Sequence, residues 1–390
     1  MRPVFFLNSH PIQYFAPLYQ QVSATTNTDL TVYYCSDESI KGKLDKGFGT
    51  KVKWDIPLLD GYKSVFIKNR SWKPSIHKGF WGLFNTGIIS LLYKQPKSVI
   101  VVHGWAYSTH VMTIIFGKIF GHRVCLRSET PLNQELKKNK AITFLKHLYL
   151  RFLFLFVDKF LYIGKQNKLF YQRLGVKEKD LVFAPYSVDN KRFRNIFETT
   201  NKEAVKQQLK LPVGKKIILY SGKYIYKKRP LDLLKAFNEL KDKTGALLVF
   251  AGDGECRAEM EAFIKEQQLG DHVLLTGFIN QSEIPLYYRA ADIFVMCSGL
   301  GETWGLSVNE AMNFGVPIIV SDTCGCAYDL VEKDSNGAVF ETGNIQQLAD
   351  LLNDYLNRSP EAINTIQQAA FKKIDQYSYN QVITAIETVQ

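Results

Sequence analysis

Two glutamates, Glu302 and Glu310, stand in the stretch GETWGLSVNEAMNFGVPIIVSD (Gly301–Asp322), the first ahead of an expected helix and the second on its second turn. So placed, both can face one ligand lying across the helix N-terminus, where the backbone N–H groups of Leu306 and Ser307 favour a phosphate. One carboxylate can accept hydrogen bonds from a ribose diol and the other from a second sugar. Upstream, Gly222-Lys223 ends an expected strand and Lys227-Lys228-Arg229-Pro230 opens the next helix. Cations converging on a loop at the carboxyl end of a strand suit a diphosphate, and could neutralise charge appearing on a leaving pyrophosphate. A third element, Ala251-Gly252-Asp253-Gly254, is a tight turn after a strand. Each has an ordinary counterpart: an N-terminal acid plus a solvated glutamate, a solvated basic turn, and a turn without function.

The elements that must position these residues alternate strictly in the second half. Expected strands are Ile217–Ser221, Ala246–Ala251, His272–Leu275, Asp292–Cys297 and Ile318–Ser321, with amphipathic helices between them, among them one from Gly305 to Phe314. Fully apolar strands alternating with such helices indicate a parallel sheet covered on both faces. The first half alternates less regularly, with expected strands Pro3–Leu7, Leu30–Cys35, Ser98–His103, Arg123–Arg127, Lys159–Ile163 and Leu181–Phe183. Between Cys35 and Ser98 runs a stretch rich in Lys, Gly and Trp, read as irregular loops over a site. The polar segment Asn190–Lys210 is the expected boundary. The fold class is therefore α/β, with two doubly wound parallel-sheet domains: residues 1–192, joined by a C-terminal helix 376–390, and residues 193–375. Such sheets bind ligands at the carboxyl ends of their strands.

The chain has 390 residues, enough for two domains, and its 46% hydrophobic and 22% charged content is that of a globular protein. Its charge is split unevenly. Residues 1–190 hold 27 Lys+Arg and 12 Asp+Glu (+15), and residues 191–390 hold the remaining 22 and 25 (−3). The first half is the one built to meet something anionic: nucleic acid, an acidic membrane surface or a phosphorylated substrate. Six scattered cysteines make no disulfide framework, and no His/Cys cluster completes a zinc site. No signal peptide precedes the first expected strand, so a cytoplasmic location is expected. The apolar run LYLRFLFLFV (Leu148–Val157) is too short for a membrane span and is broken by Arg151. The ordinary reading of Phe144–Phe156 is a well-buried helix of the first domain. The alternative is peripheral contact with an anionic membrane at its inner face, through Lys137, Lys138, Lys140, Lys146 and Arg151.

Taken together, Glu302-x7-Glu310, the Gly222-Lys223…Lys228 loop, the AGDGE turn, TGF at Thr276–Phe278, LYYRAADIFVMCS and SDTCGCAYDLVEKDSNGAVF resemble the retaining glycosyltransferases of family 4. The resemblance runs from about Lys215 to Leu356. It is looser in the first half, where NSHPIQYFAPLY, VVHGW, LYIGKQN and PYSVDNKRF resemble bacterial surface-polysaccharide members. It implies a GT-B fold, two Rossmann-like domains facing a cleft with a nucleotide-sugar donor held by the second. By motif, Glu310 would bind the ribose, Glu302 would contact the transferred sugar, and Lys223 and Lys228 would hold the donor diphosphate. Arg229 lies close enough to replace Lys228. Leu306 and Ser307 would donate N–H groups to the phosphates. The Gly222 and Gly252-Asp253 turns, with Phe278 and Ile279, would contact the nucleotide.

There are departures from the family pattern. Lys223 stands where Arg is common, exchanging a bidentate fork for a point charge. Asn8-Ser9-His10-Pro11 replaces a glycine-rich loop, so side chains of Asn8 or His10 would serve the acceptor side. His103, at a strand end, is a further catalytic candidate, with Arg127 and Glu129 as acceptor contacts. No Asp-x-Asp motif is present to carry a divalent metal, so none is expected, and no cofactor beyond a UDP- or GDP-sugar donor. The implied reaction is front-face transfer with retention to a hydroxyl of a glycan or lipid-linked acceptor. A sugar-nucleotide epimerase of the same architecture and a basic nucleic-acid-binding protein are the competing readings, nucleic acid being excluded as a partner under the first.

Overall fold

The computed structural model describes residues 2–25, 27–41, 44–45, 47, 50–51 and 54–390. Five consecutive buried residues in VFFLN leave β1 (Val4–Asn8) no solvent face, and LTVYY of β2 (Leu30–Tyr34) is buried in the same way. Strands covered on both sides belong inside a parallel sheet. A short antiparallel ladder, β3 (Leu44–Asp45) with β4 (Thr50–Lys51), stands apart from it. The sheet continues with β5 (Lys63–Phe66), β6 (Val99–His103), β7 (Arg123–Arg127), β8 (Lys159–Tyr162) and β9 (Leu181–Phe183). Among the described residues it has seven strands, all parallel, in the order β5-β2-β1-β6-β7-β8-β9.

Helices α1 (Ala16–Thr25), α2 (Gly87–Lys94), α3 (Ser108–Ile119), α4 (Leu132–Glu135), α5 (Lys140–Phe154) and α6 (Lys165–Arg173) follow in chain order. The core of this unit joins Phe5, Leu7, Ile100 and Leu126 of the strands to Leu153 and Phe170 of α5 and α6.

The second unit opens with α7 (Asn190–Thr199) and α8 (Lys202–Gln208). Its strands β10 (Lys216–Ser221), β11 (Ala246–Ala251), β12 (Val273–Leu275), β13 (Ile293–Met296), β14 (Ile318–Ser321) and β15 (Gly337–Phe340) form a parallel sheet ordered β12-β11-β10-β13-β14-β15. Between and after them run α9 (Pro230–Asn238), α10 (Arg257–Glu266), α11 (Ile284–Ala290), α12 (Leu306–Met312), α13 (Ala327–Leu330), α14 (Ile345–Leu356) and α15 (Pro360–Ile374). Ile218, Phe237, Leu248, Val295, Ile319 and Leu348 are at the centre of its core. α16 (Tyr379–Val389) groups with the first unit, where its Tyr379 hydroxyl donates to the Tyr14 carbonyl at 3.2 Å.

Several expectations need correction. Compact grouping puts the change of unit between Tyr186 and Ser187, close to the expected residue 192, and groups the described residues of 44–55 with the second unit. The expected boundary segment Asn190–Lys210 carries α7 and α8. The Asp189 carboxylate caps α7 by accepting from the Arg192 N–H at 3.0 Å, and Phe193 packs edge-on against Tyr288 and Phe314 of the second unit. The stretch Cys35–Ser98, of which residues 42, 43, 46, 48, 49, 52 and 53 lie outside the described residues, contains β3, β4, β5 and α2.

α5 is not a well-buried helix. Only Leu150, Leu153 and Phe154 face the core, while Ile142, Phe144, Leu145, Leu148, Tyr149 and Phe152 are exposed. Among the described residues, no helix is long and apolar enough to cross a membrane.

Candidate active site

The loop after β10 is shaped by a close backbone crossing. The Gly222 N–H donates to the Ala251 carbonyl at 3.0 Å, and a Cβ at Gly252 (φ +156°) would stand 1.9 Å from the Gly222 carbonyl oxygen. Only glycine fits at 252. The Gly252 N–H in turn donates to Gly277 at 2.9 Å, which brings the turn after β12, with Phe278 and Ile279, beside the turn after β11. The Phe278 ring lies 6.1 Å from that of Trp54, a neighbour with no precedent in the motif. Asp253 is used locally: its carboxylate accepts from the Gly254 N–H at 2.8 Å and meets Arg257 at 3.3 Å.

Lys223 is half-buried at the head of this loop, its carbonyl accepting from the Tyr220 hydroxyl at 2.9 Å. The chain then makes one tight turn over Tyr226–Lys228 and passes through Arg229, whose left-handed backbone (φ +51°) precedes Pro230, the first residue of α9. This turn is latched to the loop after β13. The Gly299 N–H donates to the Lys227 carbonyl at 2.7 Å, and the Lys227 Nζ donates to Gly301 at 3.2 Å.

The latch brings Lys228 Nζ to within 2.5 Å of Glu302 Oε2. Burial opposes charge on both. The Lys228 ammonium, backed by Lys227 and the Ser298 hydroxyl, nevertheless holds the Glu302 carboxyl below its ordinary range. Burial likewise disfavours the Lys228 cation, and Glu302 with the Cys324 and Cys326 thiols outweighs it, holding Lys228 above its ordinary value. Arg229 is engaged elsewhere, its Nε donating to Asp232 at 2.6 Å, so of the two neighbouring cations it is Lys228 that faces the glutamate.

α12 is shorter than expected, ending at Met312, and starts from Gly305 at φ +107°. A Cβ there would stand 2.7 Å from the Met296 sulfur and 2.9 Å from the Cys324 sulfur, so the chain enters α12 pressed onto β13. Leu306 and Ser307, both half-buried, form the first turn. Glu310 is buried, and its Oε2 accepts from the Tyr288 hydroxyl of α11 at 2.6 Å. Tyr288 was visible in the sequence only as part of LYYRAAD, and its hold on Glu310 follows from a pairing of two helices that no local pattern specifies.

In the first unit the strand ends gather a second cluster. Asn8, His103 and Arg127 close the adjacent strands β1, β6 and β7. Asn8 Nδ2 donates to the Tyr19 hydroxyl at 2.8 Å, and that hydroxyl lies 3.5 Å from His103 Nε2. The Arg127 guanidinium stacks over Phe15 and Tyr186 at 5.3 and 5.0 Å and donates to the Pro185 carbonyl at 3.2 Å. Burial, then Arg127 and His110, push His103 well below its usual pKa, so it stands neutral at pH 7. His10 is lowered to about 4 by burial and His77 against an opposing pull from Glu38, and its Nδ1 meets the Ser9 hydroxyl at 2.9 Å. Tyr19, Phe15 and Tyr186 were not anticipated. They come from a helix and two loops whose aromatic residues look like ordinary core.

Two Rossmann-like parallel-sheet units of this kind define the GT-B class, and the whole chain superposes on members of it. It matches Anabaena HepE in complex with UDP and glucose with a TM-score of 0.74 and 16% identity, covering 100% of this chain and 99% of that one. It matches WaaG, a glycosyltransferase involved in lipopolysaccharide biosynthesis, with a TM-score of 0.67 and 15% identity, covering 99% and 98%. Residues 201–373 match the family of glycosyl transferases group 1. By sequence it is 32% identical over 152 residues to the alpha-monoglucosyldiacylglycerol synthase of Streptococcus pneumoniae, covering 36% of this chain and 34% of that protein. With the enzyme of the same name from Acholeplasma laidlawii it shares 23% over 226 residues, 57% and 56% of the two chains. The chain thus spans between about a third and just over half of the length of these curated relatives.

Proposed function

We propose that the chain is a retaining glycosyltransferase of family 4 that moves a sugar from a nucleotide-diphosphate sugar to a hydroxyl of a glycan or lipid-linked acceptor, without a metal ion. The observation that carries this reading is the buried Lys228–Glu302 pair at 2.5 Å, an acid kept ionised beside a cation at the carboxyl ends of β10 and β13. Similarity to HepE, solved with UDP and glucose, supports a UDP-sugar donor, with GDP as the alternative base.

In this reading Lys228 and Lys223 meet the diphosphate, and the ionised Glu302 faces the sugar as positive charge develops on its anomeric carbon. Leu306 and Ser307 offer N–H groups to the phosphates. Glu310, held by Tyr288, accepts from the ribose hydroxyls. The bond from the anomeric carbon to the phosphate oxygen breaks, with its electron pair leaving on the phosphate. The acceptor hydroxyl oxygen bonds to the same face of that carbon and its proton passes to the departing phosphate. His103, Asn8, His10 and Arg127 serve the acceptor side, and a neutral His103 can accept or donate a hydrogen bond without adding charge.

Donor hydrolysis across a panel of UDP- and GDP-sugars, in chelator, followed by NMR of the anomeric configuration of the glycoside formed with an added acceptor, tests the whole reading. Turnover that persists in chelator and a retained linkage are expected. An inverted linkage, turnover abolished by chelator, or isomerisation of the donor in the absence of acceptor would overturn it.

A further inference from the structure

We propose that α5 is an interfacial anchor that lays the first unit on the surface of an anionic phospholipid bilayer. The helix is apolar on two sides. Leu150, Leu153 and Phe154 meet the core, and Ile142, Leu145, Leu148, Phe152 and the following Leu155 form an outward stripe at spacings of three or four residues. The stripe is fully presented: Ile142 is 68% exposed, Leu145 65% and Leu155 73%. A patch of this kind on a water-soluble surface marks an interaction site.

Charge selects the occupant. The helix sequence KAITFLKHLYLRFLF contains no acidic residue. Just before it, the buried Glu135 of α4 takes up Lys138 at 2.9 Å and Lys146 at 2.8 Å, which pins α5 and spends both cations internally. Lys137, Lys140 and Arg151 stay exposed around the stripe, within a first half whose 27 basic and 12 acidic side chains leave +15. A second copy of this chain would bring an identical positive face against it, whereas acidic headgroups supply the opposite charge above an apolar layer. Fifteen residues reach about 22 Å as a helix, against a hydrocarbon core of about 30 Å, so α5 lies in the plane of the interface rather than across it.

Co-sedimentation of the full chain with vesicles tests this and needs neither sugar donor nor acceptor, so it stands or falls apart from the proposed transfer reaction. Binding to vesicles containing phosphatidylglycerol, much weaker binding to phosphatidylcholine alone, and weakening with salt are expected. The variant Leu145→Ser/Leu148→Ser/Phe152→Ser, at exposed positions, should bind at least about tenfold more weakly. The variant Lys137→Gln/Lys140→Gln/Arg151→Gln should lose about fivefold per charge at low salt and little at high salt. Hydrogen exchange on the unmodified chain supplies a check free of folding effects: amides of residues 140–155 should exchange more slowly on vesicles. The proposal is overturned by absence of binding to acidic vesicles, by unchanged binding of the serine variant, or by unchanged exchange in α5 of vesicle-bound protein. A stable dimer that only the serine variant disperses, and that vesicles leave intact, overturns it as well.

Discussion

Glu302 and Lys228 have side chains only 12% and 19% exposed, and each leaves the other the nearest opposite charge. Removing one partner takes from the other its strongest counter-charge. Lys228→Met should therefore destabilise the second unit by about 3 kcal/mol or more and lower turnover by about a hundredfold or more, read by denaturant unfolding and by donor hydrolysis. The pair also fixes a pH signature. Glu302 is held below its ordinary range, so its contribution is complete above the unfolded value of about 4.3 and is lost as pH falls through the lower folded value. Lys228 is held above its ordinary value, so its contribution is complete below about 10.4 and is lost as pH rises through the higher folded value. In Glu302→Gln, the acid-side loss of stability should shrink and the alkaline loss should disappear, because Lys228, then buried without its anion, no longer holds a folded pKa above its unfolded one. Unfolding free energies measured across pH check both arms, and an unchanged acid arm would refute the assignment.

Elements place these residues through contacts that pattern alone does not encode. β10 and β13 read correctly from their apolar runs because a strand buried on both faces has no polar positions to obscure it. The latch between the Lys227–Arg229 turn and the loop after β13 was illegible, since it rests on backbone hydrogen bonds between segments distant in sequence. β5 was missed for the opposite reason: KSVF is an edge strand with exposed ends and no alternation. α5 misled because an apolar run reads as core, and burial of its second face is decided by what lies opposite rather than by the run itself.

Two predictions belong at this scale. Gly252→Ala should abolish folding of the second unit or cost several kcal/mol, about the upper range for a single substitution, because its Cβ would sit 1.9 Å from a carbonyl oxygen; expression and thermal unfolding report it. Ending the chain before Tyr379 should remove at least about 5 kcal/mol from the first unit, since Val382, Ile383, Ile386 and Val389 lose their buried setting, and the second unit's transition should stay in place.

At the scale of the whole molecule, each unit has its own sheet and its own core, so two unfolding transitions are the natural expectation. Added UDP should raise the second unit's transition selectively, by about 2.7 kcal/mol at a hundredfold excess over its dissociation constant, which calorimetry resolves. A rise confined to the first unit would move the donor site there. The uneven charge read from the sequence survives in this division, since the +15 half supplies most of the first unit and the −3 half most of the second.

The placement of α16 has one more consequence. Its Gln390 side chain donates to the Arg2 carbonyl at 3.2 Å, and the Arg123 guanidinium donates to Val389 at 2.9 Å. During synthesis, then, the strands made first meet this helix only after the whole of the second unit, which precedes it in the chain, has been made. The first unit, which carries both the exposed α5 and most of the positive charge, is the one left unfinished longest, and it is there that a chaperone or a nascent contact with lipid would find its opportunity.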